Sequence, residues 1–295
     1  MTLNVFVSRH SAFYTPLIAT LAGGFLKREN LDSTYAVLPA GVPARDLIRR
    51  GEAHVVQSAV SSSWVHLDKG ERGLPVHFAQ INCRDGFFLA AREPEANFDF
   101  RRLEGRPVLA DHAFQPLAML RYCARWNGCD WDRVKLIDGG APDKMERAYR
   151  AGEGDYVHLQ GPAPQQLERE GLAHVVASIG ERMPKVAFSS LIASHDFLAT
   201  EAARGFISAY RRARSWVTSA PAVEIAQMEA EYFPGVPMES LAQAIGAYQR
   251  IGCWRGDIAI AEALYEQALK VFLDGGRAFE AYSYREIVVP PPDGA

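Results

Sequence analysis

The sequence predicts an α/β protein in which two successive series of strands and crossover helices precede a helical C-terminal third. Three observations carry this. Short apolar, partly β-branched runs alternate with longer segments of helical periodicity from residue 3 to residue 179. Helices repeatedly end at a glycine and drop straight into a strand, as in LIRRGEAHVV (47–56) and AYRAGEGDYVHL (148–159). The 295 residues are 48% hydrophobic and 23% charged, enough to bury the core of one large or two medium domains.

The elements follow in order. LNVFV forms a strand over 3–7. FYTPLIATLAGGFLKRENLD carries a helix over 14–28 that closes at the glycine pair and restarts, returning Phe25 and Leu26 to the core. STYAVLP is then a strand over 34–38, so the opening predicts a parallel pair joined by a right-handed crossover. Helix 42–51, strand 54–57, helix 61–69 and strand 75–81 continue the series. DGFFLAAREP (85–94) is a further strand stopped by proline.

A second series opens with strand 106–111 and helix 115–128, which has Pro116 in its first turn. Strand 134–138, helix 141–154, strand 155–160, helix 161–171 and strand 174–179 complete it. KVAFSSLIAS (185–194) is a third apolar, β-rich run. From Asp196 to Gly276 the pattern is almost wholly helical, with Phe206, Ile207, Tyr210, Trp216 and Val217 on an amphipathic spacing. The tail YREIVVPPPDGA predicts one short strand and a disordered end.

Charge narrows the partners. The formal net charge is −3, and no Lys/Arg block exceeds two consecutive residues. No nucleic-acid or anionic-membrane partner is expected. No run of about 18 apolar residues occurs, so no membrane insertion is expected either. The chain enters its first strand by residue 3 with no basic and apolar leader pattern. A cytoplasmic location follows for the chain as written, and a periplasmic one if a leader was removed or the start is mis-called. Cys83, Cys123, Cys129 and Cys253 form no CxxC, and buried free thiols are the reading they suggest.

Five stretches taken together resemble one known family. They are FYTPLIATLAGGFLKRENLD, GVPARDLIRRGEAHVV, LEGRPVLAD with QPLAMLRYCARWNGCDWDRVKLID, ERAYRAGEGDYVHLQGPAP, and AYQRIGCWRGD. In this order they look like the type II periplasmic solute-binding proteins of sulfonate, nitrate and taurine ABC transporters, and like the related thiamine-pyrimidine synthases. The similarity runs over nearly the whole chain and speaks to the fold far more than to the ligand. It implies a two-lobe periplasmic-binding-protein type II fold, each lobe a mixed, mostly parallel sheet flanked by helices. Lobe 1 would be 1–84 plus 193–295 and lobe 2 would be 88–188, with hinges near 84–92 and 186–195.

In open parallel sheets, ligands bind outside the carboxyl ends of the strands. Four such ends should therefore converge. The first supplies Ser8, Arg9, His10, Ser11, Phe13 and Tyr14; the second Gln57, Ser58, Ser61, Ser62 and Ser63. The third supplies Asp111, His112, Phe114 and Gln115 ahead of a helix whose free N–H groups suit an anion. The fourth supplies His158, Gln160 and Gly161. Phe13, Tyr14, Trp64 and Phe114 could stack on a planar ring, although such aromatic sets are more often core than platform.

Alternatives stand beside several of these. The serines of SAVSSSW either contact ligand or cap the helix they open. Arg84 either donates to a carboxylate or sulfonate, or pairs with Asp85. Asp111 either orients His112 or caps the following helix. His54, His66, His77, His174 and His195 read as structural or solvent-facing. A metal site of His10, His112 and His158 lacks HxxxH or HxH spacing, and neither metal nor cofactor is expected.

The expected function is the binding of a small organic anion or heteroaromatic acid (sulfonate, carboxylate or pyrimidine-like) between the lobes. An ABC-transporter permease would be the protein partner. The alternative is a cytosolic enzyme on the same scaffold, resembling the thiamine-pyrimidine synthases or a hydrolase or lyase of aromatic acids, with His10 and His112 as acid and base. Neither the first-loop cysteine of sulfinate-hydrolysing relatives nor the cysteine-rich motif of the synthases occurs, and there is no GxSxG.

Overall fold

A computed structural model of the chain describes residues 1–276 and 282–293. The first sheet begins with β1 (Thr2–Val7), β2 (Asp32–Val37), β3 (Val55–Ser58) and β4 (Val76–Asn82), connected through helices α1 (Thr15–Ala22), α2 (Ala44–Arg49) and α3 (Val60–Asp68). The second sheet consists of β5 (Phe87–Ala91), β6 (Pro107–Ala110), β7 (Lys135–Asp138), β8 (Tyr156–Gln160) and β9 (His174–Ser178). Its helices are α4 (Phe114–Trp126), α5 (Pro142–Arg150) and α6 (Ala163–Arg169). The chain then passes through α7 (Ile179–Arg182) and returns to the first sheet as β10 (Ser189–Ala193).

Both sheets have five strands, ordered β2-β1-β3-β10-β4 and β7-β6-β8-β5-β9. The β2-β1-β3 and β7-β6-β8 triplets are parallel, as the strand–helix–strand pattern predicts. In each sheet the strand that enters from the other sheet is the antiparallel one: β5 beside β8 and β9, β10 beside β3 and β4. Every residue of β5 and of β10 is buried. That explains why FFLAA and SSLIA do not alternate, because a strand flanked by neighbours and covered on both faces has no solvent side.

Local signals set the element ends. Helix α1 stops at Ala22, where Gly24 takes φ +70°, and a short 3-10 turn at Lys27–Glu29 resumes the path. Gly51 (φ +72°) and Gly152 (φ +98°) end α2 and α5 in the left-handed conformation that glycine reaches without a Cβ penalty.

The C-terminal third is α8 (His195–Leu198), α9 (Glu201–Ser219), α10 (Ala222–Glu229), α11 (Met238–Ile251), α12 (Glu262–Asp274) and α13 (Tyr284–Ile287). In α9 the Thr200 hydroxyl accepts from the Ala203 N–H, and Ala203, Phe206, Ile207, Tyr210, Ala213 and Val217 form the buried stripe. The predicted C-terminal strand is instead the helical turn α13, followed by a single bridge between Val288 and His77. The end of the tail, 294–295, lies outside the described residues.

These helices straddle both sheets: α9 packs on α1, α11 on α6, and α12 on α3 and α4. Tyr248 of α11 is the clearest tie. Its buried hydroxyl donates to the Gly86 carbonyl at 2.9 Å and accepts from the Gly161 N–H at 2.7 Å. All four cysteines are buried free thiols.

Asp85 sits in the first crossing segment, fully buried. One carboxylate oxygen accepts the Phe87 N–H at 2.6 Å, and the other has no partner. Burial pushes its carboxyl up to about 8. The folded state therefore holds a proton there that the unfolded state releases near the ordinary value of 3.8. The stabilisation from this protonated form is complete below that value and is lost as pH rises toward about 8. Denaturant unfolding at pH values between those limits should show this decline in the wild type, and Asp85→Asn should flatten it. An unchanged slope in Asp85→Asn would show that Asp85 is ionised in the fold.

Candidate functional site

The carboxyl ends of β1, β3, β6 and β8 face one another, and between them lies a cavity of about 340 Å³. Its lining is mixed: Ser8, Arg9, Tyr14, Arg45, Gln57, Ser61, His66 and Gln160 are polar. Leu38, Val42, Pro43, Leu74, Ile192 and the rings of Phe114 and Phe188 are apolar.

The polar lining is internally ordered. Gln57 Oε1 accepts from the Ser8 backbone N–H at 3.0 Å and from its hydroxyl at 2.6 Å, which fixes the end of β1 against that of β3. The Tyr14 hydroxyl bonds within the group Ser8, Gln160 and Ser189, while burial raises its pKa. Gln160 Oε1 is buried without a hydrogen-bond partner.

The two sheets are stitched across this cavity. Arg9 donates to Asp111 Oδ2 in an ion pair that runs from the end of β1 to the end of β6. The Ser61 hydroxyl donates to Gln115 Oε1 at 2.7 Å, and Gln115 Nε2 donates to the Phe188 carbonyl at 2.8 Å. Ser11 donates to the Gly161 carbonyl at 2.9 Å. Helices α3 and α4 both begin at this cavity, at Ala59 and Ala113, and neither start has a side-chain cap. Their first N–H groups and the positive ends of their dipoles are thus directed at one space.

The structure sorts the predicted residues. Arg9, Tyr14, Gln57, Ser61, Ser62, Phe114, Gln115 and Gln160 line the cavity. Asp111 stands behind Arg9; its Oδ1 accepts the Ala113 N–H at 2.8 Å, so it closes the turn into α4 rather than orienting His112. His112 lies instead near Asp138, at 3.7 Å, and outside the cavity. His10 lines a neighbouring space of about 260 Å³ with Phe233 and Glu146, where Ser11 also lies and which shares Arg9 and Gln160 with the first. Its Nδ1 lies 2.7 Å from the Tyr35 hydroxyl and its ring against Phe233, while burial lowers its pKa. His10 and His112 therefore do not face a common substrate position. The acid–base pair expected from sequence is not assembled.

The structure places four further sets of predicted residues elsewhere than at the cavity or in another role. His158 is wholly buried and stacked on Phe87 at 4.3 Å, and burial pushes its pKa down to about 3; it lies one residue pair deeper in β8 than Gln160 and has no surface to offer. Phe13 and Trp64 are core residues, Phe13 against Phe188 and Tyr248, Trp64 against Tyr265 and Phe272. Arg84 reaches the Gly180 carbonyl at 2.7 Å, and among the described residues it has no ion pair with Asp85. The SAVSSSW serines do not cap α3: Ser61 bonds Gln115, and Ser63 holds the buried His77 from one side as Ser190 does from the other.

Sequence reasoning missed Arg45, His66 and Ser189 at the cavity. Arg45 follows the carboxyl end of β2, so the same strand-end rule could have found it. Its guanidinium pairs with Glu71, and burial first, then Arg45, lower the pKa of His66 beside them. Ser189 arrives on the antiparallel β10, for which the rule says nothing.

Two mixed α/β sheets, joined by two crossings and enclosing a cavity at their strand ends, are the architecture of solute-binding proteins of the periplasmic-binding-protein type. Solved structures agree. A ligand-binding component of an ABC-type import system from Staphylococcus aureus superposes with TM-score 0.78 at 12% identity, covering 99% of this chain and 98% of its own. The alkanesulfonate-binding protein SsuA from Xanthomonas axonopodis pv. citri, bound to MOPS, gives 0.74 at 11%, covering 98% of both. The chain belongs to the NMT1/THI5-like family, whose family model matches residues 12–223. A relative, YtlA of Bacillus subtilis (strain 168), named only provisionally as a binding protein, is 26% identical over 284 residues, 95% of this chain and 85% of that one. Among the described residues no helix is long and apolar enough to cross a membrane.

Proposed function

We propose that the chain is a solute-binding protein that holds a small organic anion with an apolar or planar tail, a carboxylate or sulfonate in chemistry, for an ABC-type importer. The observation that carries this reading is a cavity whose lining combines anion-binding and apolar groups. Arg9 and two uncapped helix starts offer donors, and Leu38, Val42, Phe114 and Phe188 offer apolar contact. The relatives, a provisionally named binding protein and an ABC-type ligand-binding component, support the class, and SsuA supports the sulfonate end of the ligand range. Residues 1–84 with 193–295 and residues 88–188 would move as two lobes about hinges near 84–92 and 186–195, closing on ligand. An importer permease would receive the closed form.

The test is a thermal-shift panel of benzoate, benzenesulfonate, alkanesulfonates and heteroaromatic carboxylates, followed by small-angle scattering. A saturable shift with compaction is expected for at least one member. A flat response across the panel, with unchanged scattering, would end the proposal.

A further inference from the structure

The charged groups around the cavity are compensated before any ligand arrives. Only Arg9 and Arg45 among its lining residues carry a fixed formal charge. Arg9 pairs with Asp111, and Arg45 with Glu71. His66, the remaining titratable group, has its pKa lowered by burial and by Arg45 and is neutral near pH 7. The wall is therefore formally neutral. What remains positive is the pair of uncapped helix starts, each equivalent to about half an elementary charge. Together they match one negative charge.

From this balance we propose that Asp111 is a specificity-determining residue that restricts the ligand to a single negative charge, acting through Arg9 rather than by touching the ligand. The inference rests on the anion-binding reading above. Asp111 is placed for the role. Its side chain is 4% exposed against 23% for Arg9, so the ligand meets the guanidinium and not the carboxylate. One Arg9 nitrogen is engaged by Asp111, and a guanidinium carries five N–H donors, so donors remain for a ligand while the charge is already balanced. A dianion entering this space would bring a second charge out of water with nothing to meet it.

Asp111→Asn removes the compensating charge and, with it, the hydrogen bond to Arg9, while the amide oxygen can still accept the Ala113 N–H that closes the turn into α4. Calorimetric titration would compare benzoate with phthalate and benzenesulfonate with phenyl phosphate, on the wild type, Asp111→Asn and Asp111→Glu. The wild type should favour the monoanion of each pair by about tenfold or more. Asp111→Asn should move that ratio about tenfold toward the dianion, and Asp111→Glu should keep it. An unchanged ratio in Asp111→Asn, even with both affinities lowered, would make Asp111 merely structural and overturn the inference. Equal wild-type affinity for both members of a pair would overturn it too, leaving anion binding intact. Failure of the folded wild type to bind any of the four would overturn this inference, and failure across the wider panel above would overturn the binding reading as well.

Discussion

Replacing Arg9 with alanine is expected to weaken anion binding by about tenfold to hundredfold and, separately, to destabilise the fold. The first effect follows from losing one charge-assisted hydrogen bond, about 1.5–3 kcal/mol. The second follows from Asp111, which would remain buried with its charge partner removed. The two effects separate in the double variant Arg9→Ala/Asp111→Asn. Stability should largely return, because no uncompensated carboxylate is left, whereas binding should stay weak. Calorimetry with the strongest monoanion, together with thermal melting of the single and double variants, gives the cycle. Equal binding by wild type and Arg9→Ala would remove Arg9 from the site and with it the polar end of the proposed ligand.

The second large effect is expected at Gly86, in the crossing between β4 and β5. A Cβ there would lie 2.2–2.5 Å from three ring carbons of Phe13. Phe13 cannot swing aside, because Phe188 and Tyr248 pack on it at ring distances of 5.3 and 5.2 Å and it is wholly buried. Gly86→Ala should thus destabilise by about 3 kcal/mol, the upper part of the range for overpacking a dense core. Phe13→Ala alone should cost a similar amount, about 3–5 kcal/mol, through the cavity it leaves. In the double variant the new methyl occupies space the ring vacated, so the loss should fall well short of the sum. Denaturant unfolding of all four proteins decides this. Strict additivity would mean the crossing segment relaxes freely around Gly86.

These two residues also show where the sequence could and could not be read. Arg9 was identifiable because it follows a strand that is visibly a strand, and the carboxyl ends of parallel strands are where ligands sit. Its neighbour His10 met the same criterion and faces elsewhere, toward Tyr35 and Phe233. Phe13 and Tyr14 diverge in the same way, one into the core and one to the cavity, because the 3-10 turn at Ala12–Tyr14 rotates successive side chains apart. His158 failed on depth: it shares a strand with Gln160 but lies one residue pair further in, beneath Phe87. A rule that reports the end of an element does not report which way each side chain leaves it.

The order and type of nearly all the elements were decided by the chain's local chemistry. Apolar periodicity and glycine at left-handed positions act over a few residues, so they remain legible without the fold. The tertiary structure alone decided that β5 and β10 enter their sheets antiparallel, and that Arg9 meets Asp111 across 102 positions. It alone left the starts of α3 and α4 uncapped around one cavity. Those outcomes depend on packing between distant segments, where the charge of one group is felt only once another has been brought beside it. No local pattern records that meeting.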